Sequence, residues 1–144
     1  MKSWTFFCLG LLLAMSVPSM AEDTSFKLIV NAQNPVQSLT HEQVSKLFLR
    51  KTTQWSAGGL VLPVDQAEGS RVREGFTGAV HHKTVGAVKS YWQQQLFSGR
   101  GVPPPEKGSD ADVTAYVSSN EGAIGYVSMN AKLGGVKVVN LTDN

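Results

Sequence analysis

Residues 64–76 read "VDQAEGSRVREGF" and join an apolar run to a helical pattern through a short acidic turn. The preceding "LVLPV" (60–64) is β-branched and apolar, which predicts a buried strand. After the turn, Val72, Phe76 and Val80 recur at helical spacing. A strand followed by a turn and a helix is the building unit of α/β folds, so this stretch indicates the class of the chain.

The same alternation continues on both sides of this stretch. "FKLIVN" (26–31) predicts another buried strand, and Thr40 with Gln43 three residues later forms a capping box that opens a helix. A third helix runs from Val85 to Gly99, a fourth begins at Ser109, and "AIGYVS" and "VKVVN" are the last two strands. We therefore expect a single α/β lobe with a mostly parallel sheet flanked by helices.

The first 21 residues have the pattern of a cleavable signal peptide. Lys2 precedes the apolar stretch "WTFFCLGLLLAM", and Ser19 and Ala21 hold the small-residue positions before a cleavage site. The apolar run is short for a membrane span, which needs roughly 20 residues, and no later segment approaches that length. We expect export to the periplasm, a signal peptide over residues 1–21, and one domain without a membrane span over residues 22–144.

The composition of residues 22–144 excludes several classes of function. The single cysteine, Cys8, lies in the signal segment, so no disulfide, thiolate metal site or cysteine nucleophile is expected after cleavage. Loss of Lys2 leaves 12 basic residues against 11 acidic ones, a net charge of +1. Such a balance argues against a nucleic-acid-binding surface.

The turn at residues 65–70 is a candidate binding site for an anion. Ligands of α/β sheets bind beyond the carboxyl ends of strands, where the free N–H groups of helix N-termini carry partial positive charge. Gly69 allows a ligand to approach the backbone closely. Ser70 taken alone is more typical of a helix N-cap than of an anion ligand, so the spacing leaves both interpretations open.

Two arginines follow Ser70 in the first helical turn. Arg71 and Arg73 can hold an oxyanion through bidentate hydrogen bonds. They also lie where the helix dipole disfavours cations, so an anion or a carboxylate partner is expected nearby. The alternative is an ion pair with Asp65, Glu68 or Glu74.

Several motifs together resemble one protein family. In order along the chain they are "LIVNAQNP", "LTHEQVSKLF", Trp55 followed by "GG", "LPVDQAEGSRVREGF", "YWQQQLFSGRG" and "VSSNEGAIGYV". This order resembles the phosphate-binding proteins of bacterial ABC importers, and most closely their short, single-lobe relatives. The resemblance implies a substrate-binding protein and not an enzyme, no cofactor, inorganic phosphate as ligand, and an ABC permease or other envelope protein as partner.

The resemblance also implies site residues. In the family a loop before a helix holds phosphate through a serine hydroxyl, backbone amides, an upstream arginine and an acid that accepts the proton of hydrogen phosphate. The serine falls on Ser70, after Gly69, and the acid on Glu68. The upstream arginine falls on Gln66, which has no charge, and the family's next glycine falls on Arg71. The first lobe, with its own phosphate loop, has no counterpart in this chain.

Two hypotheses follow from these observations. The first is a periplasmic protein of reduced size that binds or senses phosphate for an ABC-type import system. The second is an interaction module that kept the lobe and lost the ligand, as an adaptor in an envelope complex.

Two further features call for a structural interpretation. His81 and His82 are adjacent and would point about 100° apart on a helix, so they are not expected to bind a metal together. Trp92 and Phe97 are expected to pack in the core or at the junction of helix and loop.

Overall fold

The computed structural model describes residues 23–143. The predicted signal segment lies outside these residues. The strands are β1 Phe26–Asn31, β2 Ser38–Thr40, β3 Leu62–Pro63, β4 Asp65–Gln66, β5 Glu106–Lys107, β6 Ala123–Ser128 and β7 Val136–Thr142. The helices are α1 His41–Phe48, α2 Arg71–His81, α3 Val85–Phe97 and α4 Asp110–Ser119.

The helices begin where the capping residues predict. Thr40 and Gln43 form the complete capping box of α1. Ser70 and Ser109 each accept a hydrogen bond from the backbone N–H three residues later, at the start of α2 and α4. No helix in residues 23–143 is long and apolar enough to cross a membrane.

The α/β organisation is confirmed, but the main sheet is mixed and not mostly parallel. Its strand order is β2-β7-β1-β6-β3, and the central strand β1 is antiparallel to both β6 and β7. Only the edge pairs β2–β7 and β3–β6 are parallel. The continuous apolar run of β1 indicates that both faces of the strand are buried. It does not predict whether the neighbouring strands run parallel or antiparallel to β1.

The sheet separates two apolar layers. One contains α1 and α2, where Phe48, Phe76 and the ring of Tyr126 are fully buried. The other contains α4, where Val113 and Val117 pack on β6. At Gly125 on β6, an added Cβ would lie 2.8 Å from the Val113 side chain, so the glycine allows α4 to approach the sheet closely.

Helix α3 is attached to this body by few residues. Only Val88 and Trp92 are buried, and they pack with Leu49 in a small separate cluster. Trp92 is thus in the predicted position, but Phe97 is 96% exposed and its expected packing is wrong. Phe97 is the last residue of α3, and the chain turns away after it through Gly99 with φ of 68°.

Candidate functional site

The candidate site forms where β4 ends and α2 begins. Ser70 is the N-cap of α2, and its Oγ accepts a hydrogen bond from the Arg73 N–H at 3.2 Å. The N-cap interpretation of Ser70 is therefore confirmed. Ser70 can cap the helix and also contact an anion. The first-turn N–H groups that are not bonded to Ser70 point out of the N-terminus of α2, beside the Ser70 side chain.

The turn opens onto a cavity of about 630 Å³ between α2 and the start of α3. Its lining includes Glu68, Gly69, Ser70 and Arg71 from the turn and the start of α2, and Lys83 from the segment before α3. An added Cβ on Gly69 would meet no atom within 4 Å, so the backbone there is open to a ligand. Four of the five predicted site residues are thus brought together on one cavity.

The Gln66 side-chain amide orients the Ser70 hydroxyl. The Ser70 Oγ donates to the Gln66 Oε1 at 2.6 Å, and the Gln66 Nε2 donates to the Asp110 Oδ1 at 2.8 Å and to the Tyr126 carbonyl at 3.1 Å. Gln66 is buried, so its amide orientation is set by these fixed partners. It links the N-termini of α2 and α4.

Arg73 points into the interior. Its Nη1 donates to the Glu106 Oε1 at 2.7 Å and to the Gln66 carbonyl at 2.9 Å, and its Nε lies 3.6 Å from the Asp65 Oδ1. Asp65 and Glu106 are paired residues of the parallel strands β4 and β5, and Arg73 bridges their carboxylates. A cation in the first helical turn is expected to have a carboxylate partner, and Arg73 has two.

The Asp65 carboxylate is the deepest charged group of this site. Burial raises the pKa of Asp65, and the Arg73 guanidinium and the Tyr126 hydroxyl, which donates to Asp65, counteract this in part. Burial also raises the pKa of Tyr126, so its hydroxyl stays protonated and remains a donor.

The remaining predicted residues have partners on the surface. The Glu68 carboxylate contacts the Lys89 Nζ at 3.1 Å, and the Arg71 Nη1 contacts Glu74 at 3.2 Å. Arg73 lines a different cavity, of about 180 Å³, which Glu68 also borders. The structure thus places the Arg73 guanidinium on a different cavity from Gly69, Ser70 and Arg71, although the Arg73 backbone N–H is bonded to Ser70.

Sequence reasoning missed Gln66 as an orienting residue, and it missed the pairing of Asp65 with Glu106. The two carboxylates are 41 positions apart, and only the pairing of β4 with β5 makes them neighbours. The one signal in the sequence is the need of Arg73, in a first helical turn, for a carboxylate partner.

His81 and His82 have separate environments. His81, the last residue of α2, is buried, with its Nδ1 2.7 Å from the Ser45 Oγ and its ring edge-on to Phe76. His82 follows in the left-handed region, with φ of 52°. Over residues 23–143 no group of three or more His, Cys, Asp or Glu side chains could hold a metal ion.

Comparison with protein families gives a match over almost all of the described chain. The description of the matching family is PBP superfamily domain, and the match covers residues 24–142. This chain belongs to the PBP superfamily domain family. No curated protein matches it.

Solved structures of phosphate transport proteins share the fold of this PBP superfamily domain. An ABC-type phosphate transport receptor from Vibrio cholerae has a TM-score of 0.64 at 21% identity, covering 81% of this chain and 46% of that one. A protein assigned as a phosphate ABC transporter substrate-binding protein from Clostridium perfringens, solved with bound phosphate, has a TM-score of 0.65 at 25% identity, covering 81% and 44%. The chain spans less than half the length of either protein.

Proposed function

We propose that this PBP superfamily domain binds inorganic phosphate, or a similar oxyanion, at the N-terminus of α2. The Ser70 hydroxyl, the Gly69 backbone and the first-turn amides would hold the oxygens. Arg71 at the cavity and Arg73 behind it would supply positive charge, and Glu68 would accept the proton of hydrogen phosphate. The main support for this proposal is that Ser70 caps an 11-residue helix at an open cavity that Gly69 and Arg71 also line.

Two likenesses support phosphate as the ligand. The sequence of the turn resembles the phosphate loop of importer-associated binding proteins, with its serine at Ser70 and its acid at Glu68. Independently, the fold is shared with a phosphate transport receptor and with a protein solved with bound phosphate. A role in the periplasm beside an ABC-type permease is part of the same proposal.

Binding by this chain alone should be weak. Gln66 replaces the charged residue of the family loop, and the Ser70 hydroxyl must release Gln66 Oε1, at 2.6 Å, before it can donate to an anion. The cavity is open on one side, so a bound ion keeps part of its hydration and gains less from the protein.

Ser70→Ala should weaken phosphate binding. We expect the wild-type chain to bind phosphate with a Kd of about 1 μM or weaker, and the variant to bind about 10-fold less tightly, because a hydrogen bond to a charged group is lost. Calorimetric titration measures both. Ser109→Ala is the matched control, since Ser109 caps α4 in the same way outside the cavity. Equal affinity in wild type and Ser70→Ala would place the site elsewhere.

Glu68→Gln should change selectivity more than affinity. A carboxylate accepts the proton of hydrogen phosphate and repels sulfate, whereas an amide can donate to either ion. We expect the ratio of phosphate to sulfate affinity to fall towards 1. Glu121→Gln, which removes an exposed carboxylate outside this cavity, is the control. A variant with the wild-type ratio would remove Glu68 from the proposed site.

The interaction module remains a second candidate because of one observation. The Arg73 guanidinium is engaged by Asp65, Glu106 and the Gln66 carbonyl, which leaves less free positive charge at the turn. If this candidate is correct, neither phosphate nor sulfate at millimolar concentration raises the melting temperature of the protein. A rise with phosphate that Ser70→Ala reduces supports the first proposal.

A further inference from the structure

The C-terminal end of α3 carries an exposed apolar surface. Phe97 is 96% exposed and Leu96 is 50% exposed, and Val102, in the loop after the helix, is 58% exposed. Isolated exposed apolar residues are ordinary, but a contiguous group of them marks a surface for association. We refer to Leu96, Phe97 and Val102 as the α3 patch.

A cavity of about 180 Å³ lies beside the α3 patch. Its apolar lining consists of Trp92 and Leu96 of α3 and of Pro103 and Pro104. The rest of the lining is polar or charged and includes the Arg73–Glu106 and Lys89–Glu68 ion pairs. By volume the cavity has room for an aromatic side chain, since roughly 150 Å³ accommodates a benzene ring. The half-exposed carboxylates of Glu68 and Glu106 lie at its border.

The protruding groups next to the cavity are complementary to it. Phe97 supplies an aromatic ring, and Arg100 three residues later supplies a cation. Arg100 is exposed, and within residues 23–143 its side chain makes no hydrogen bond or ion pair. One surface therefore contains a partly apolar cavity, whose three carboxylates against Arg73 and Lys89 leave a net charge of −1, together with an aromatic ring and a basic group.

We propose that this surface associates with the same surface of a second copy of the chain. A two-fold interface needs a patch that is complementary to itself, so that each copy gives and receives the same contact. Phe97 of each copy occupies the cavity between Trp92 and Pro104 of the other, and Arg100 reaches the Glu106 carboxylate across the interface. Half-exposed Glu106 keeps Arg73 as its internal partner and has room for a second cation.

The association should be reversible and weak. The patch is small compared with stable interfaces, which bury about 800 Å² per partner, so a dissociation constant in the range of about 10–100 μM is expected. The inference does not depend on phosphate binding, and its test is done without phosphate. Failure of one proposal therefore leaves the other unaffected.

Sedimentation equilibrium of the purified protein tests the proposal, over about 5 to 500 μM. Wild type should pass from monomer to dimer, Phe97→Ser should stay monomeric, and Arg100→Glu should weaken the dimer at least about 10-fold because it places like charges together. Met129→Ser is the matched control, since Met129 is an apolar residue 53% exposed that belongs to neither the α3 patch nor the cavity.

Two results would overturn the proposal. One is a wild type that stays monomeric at the highest concentration, which would leave the α3 patch to a different protein. The other is a dimer that persists in Phe97→Ser. Because Phe97 and Arg100 are exposed, both variants should keep the wild-type melting temperature, so a change in association is not a change in folding.

Discussion

Arg73→Met should lower the free energy of unfolding by about 3–5 kcal/mol, because it leaves the buried Asp65 carboxylate without its counter-charge. The Gln66 carbonyl loses its donor at 2.9 Å in the same variant. Methionine fills much of the volume of the arginine stem, so the effect reports the charge more than a cavity. Urea unfolding followed by circular dichroism measures the change.

Two controls separate this interpretation from a general effect of substitution in α2. Arg71→Met removes an exposed arginine in the same helical turn, and its cost should stay below about 1 kcal/mol. Adding Asp65→Asn to Arg73→Met should restore part of the stability, because the double variant has no buried charge at position 65. If Arg71→Met costs as much as Arg73→Met, the buried ion pair is not the cause.

Acidification should destabilise the fold through His81. Burial lowers the pKa of His81 to about 4, and the nearby charges of Lys83, Arg73 and Lys51 act in the same direction. Between pH 6.5 and about 4 the unfolded chain binds a proton at this histidine and the folded chain does not, so stability falls as pH falls. A tenfold difference in proton affinity is about 1.4 kcal/mol, which gives a loss of roughly 3 kcal/mol across this window.

The measurement is the free energy of unfolding at pH 7 and at pH 4 in wild type, His81→Gln and His82→Asn. Glutamine keeps a hydrogen bond available to Ser45 and does not titrate, so His81→Gln should lose this part of the pH dependence. His82 is exposed, and asparagine tolerates its left-handed backbone, so His82→Asn should follow wild type. Parallel curves for wild type and His81→Gln would assign the acid sensitivity to other groups.

The parts of the fold that local chemistry determines could be predicted from the sequence. Thr40, Ser70 and Ser109 cap helices through bonds to residues three positions away, and such bonds need no knowledge of the rest of the chain. The α/β class follows from the order of apolar runs in the same way. Glu68, Gly69, Ser70 and Arg71 share a cavity because they are consecutive in the chain.

The remaining features depend on which strands become neighbours. Arg73 lies between Asp65 and Glu106 because β4 pairs with β5, and Gln66 reaches Asp110 because α4 begins beside the same strands. No periodicity in the sequence contains this information. The prediction that Phe97 is packed was wrong for a different reason. The sequence of a helix end does not show whether an apolar residue there is buried or exposed.

The central position of β1 has a consequence for how the protein folds. Phe26 pairs with Ser128 and Asn31 pairs with Val136, so the strand that is synthesised first bonds only to the two synthesised last. Closing a loop of about a hundred residues carries an entropic cost before any of these bonds forms, and pairings of this kind slow folding. Helices α1–α4 form through hydrogen bonds between residues close in the chain, but the sheet between them stays incomplete until β7 pairs with β1.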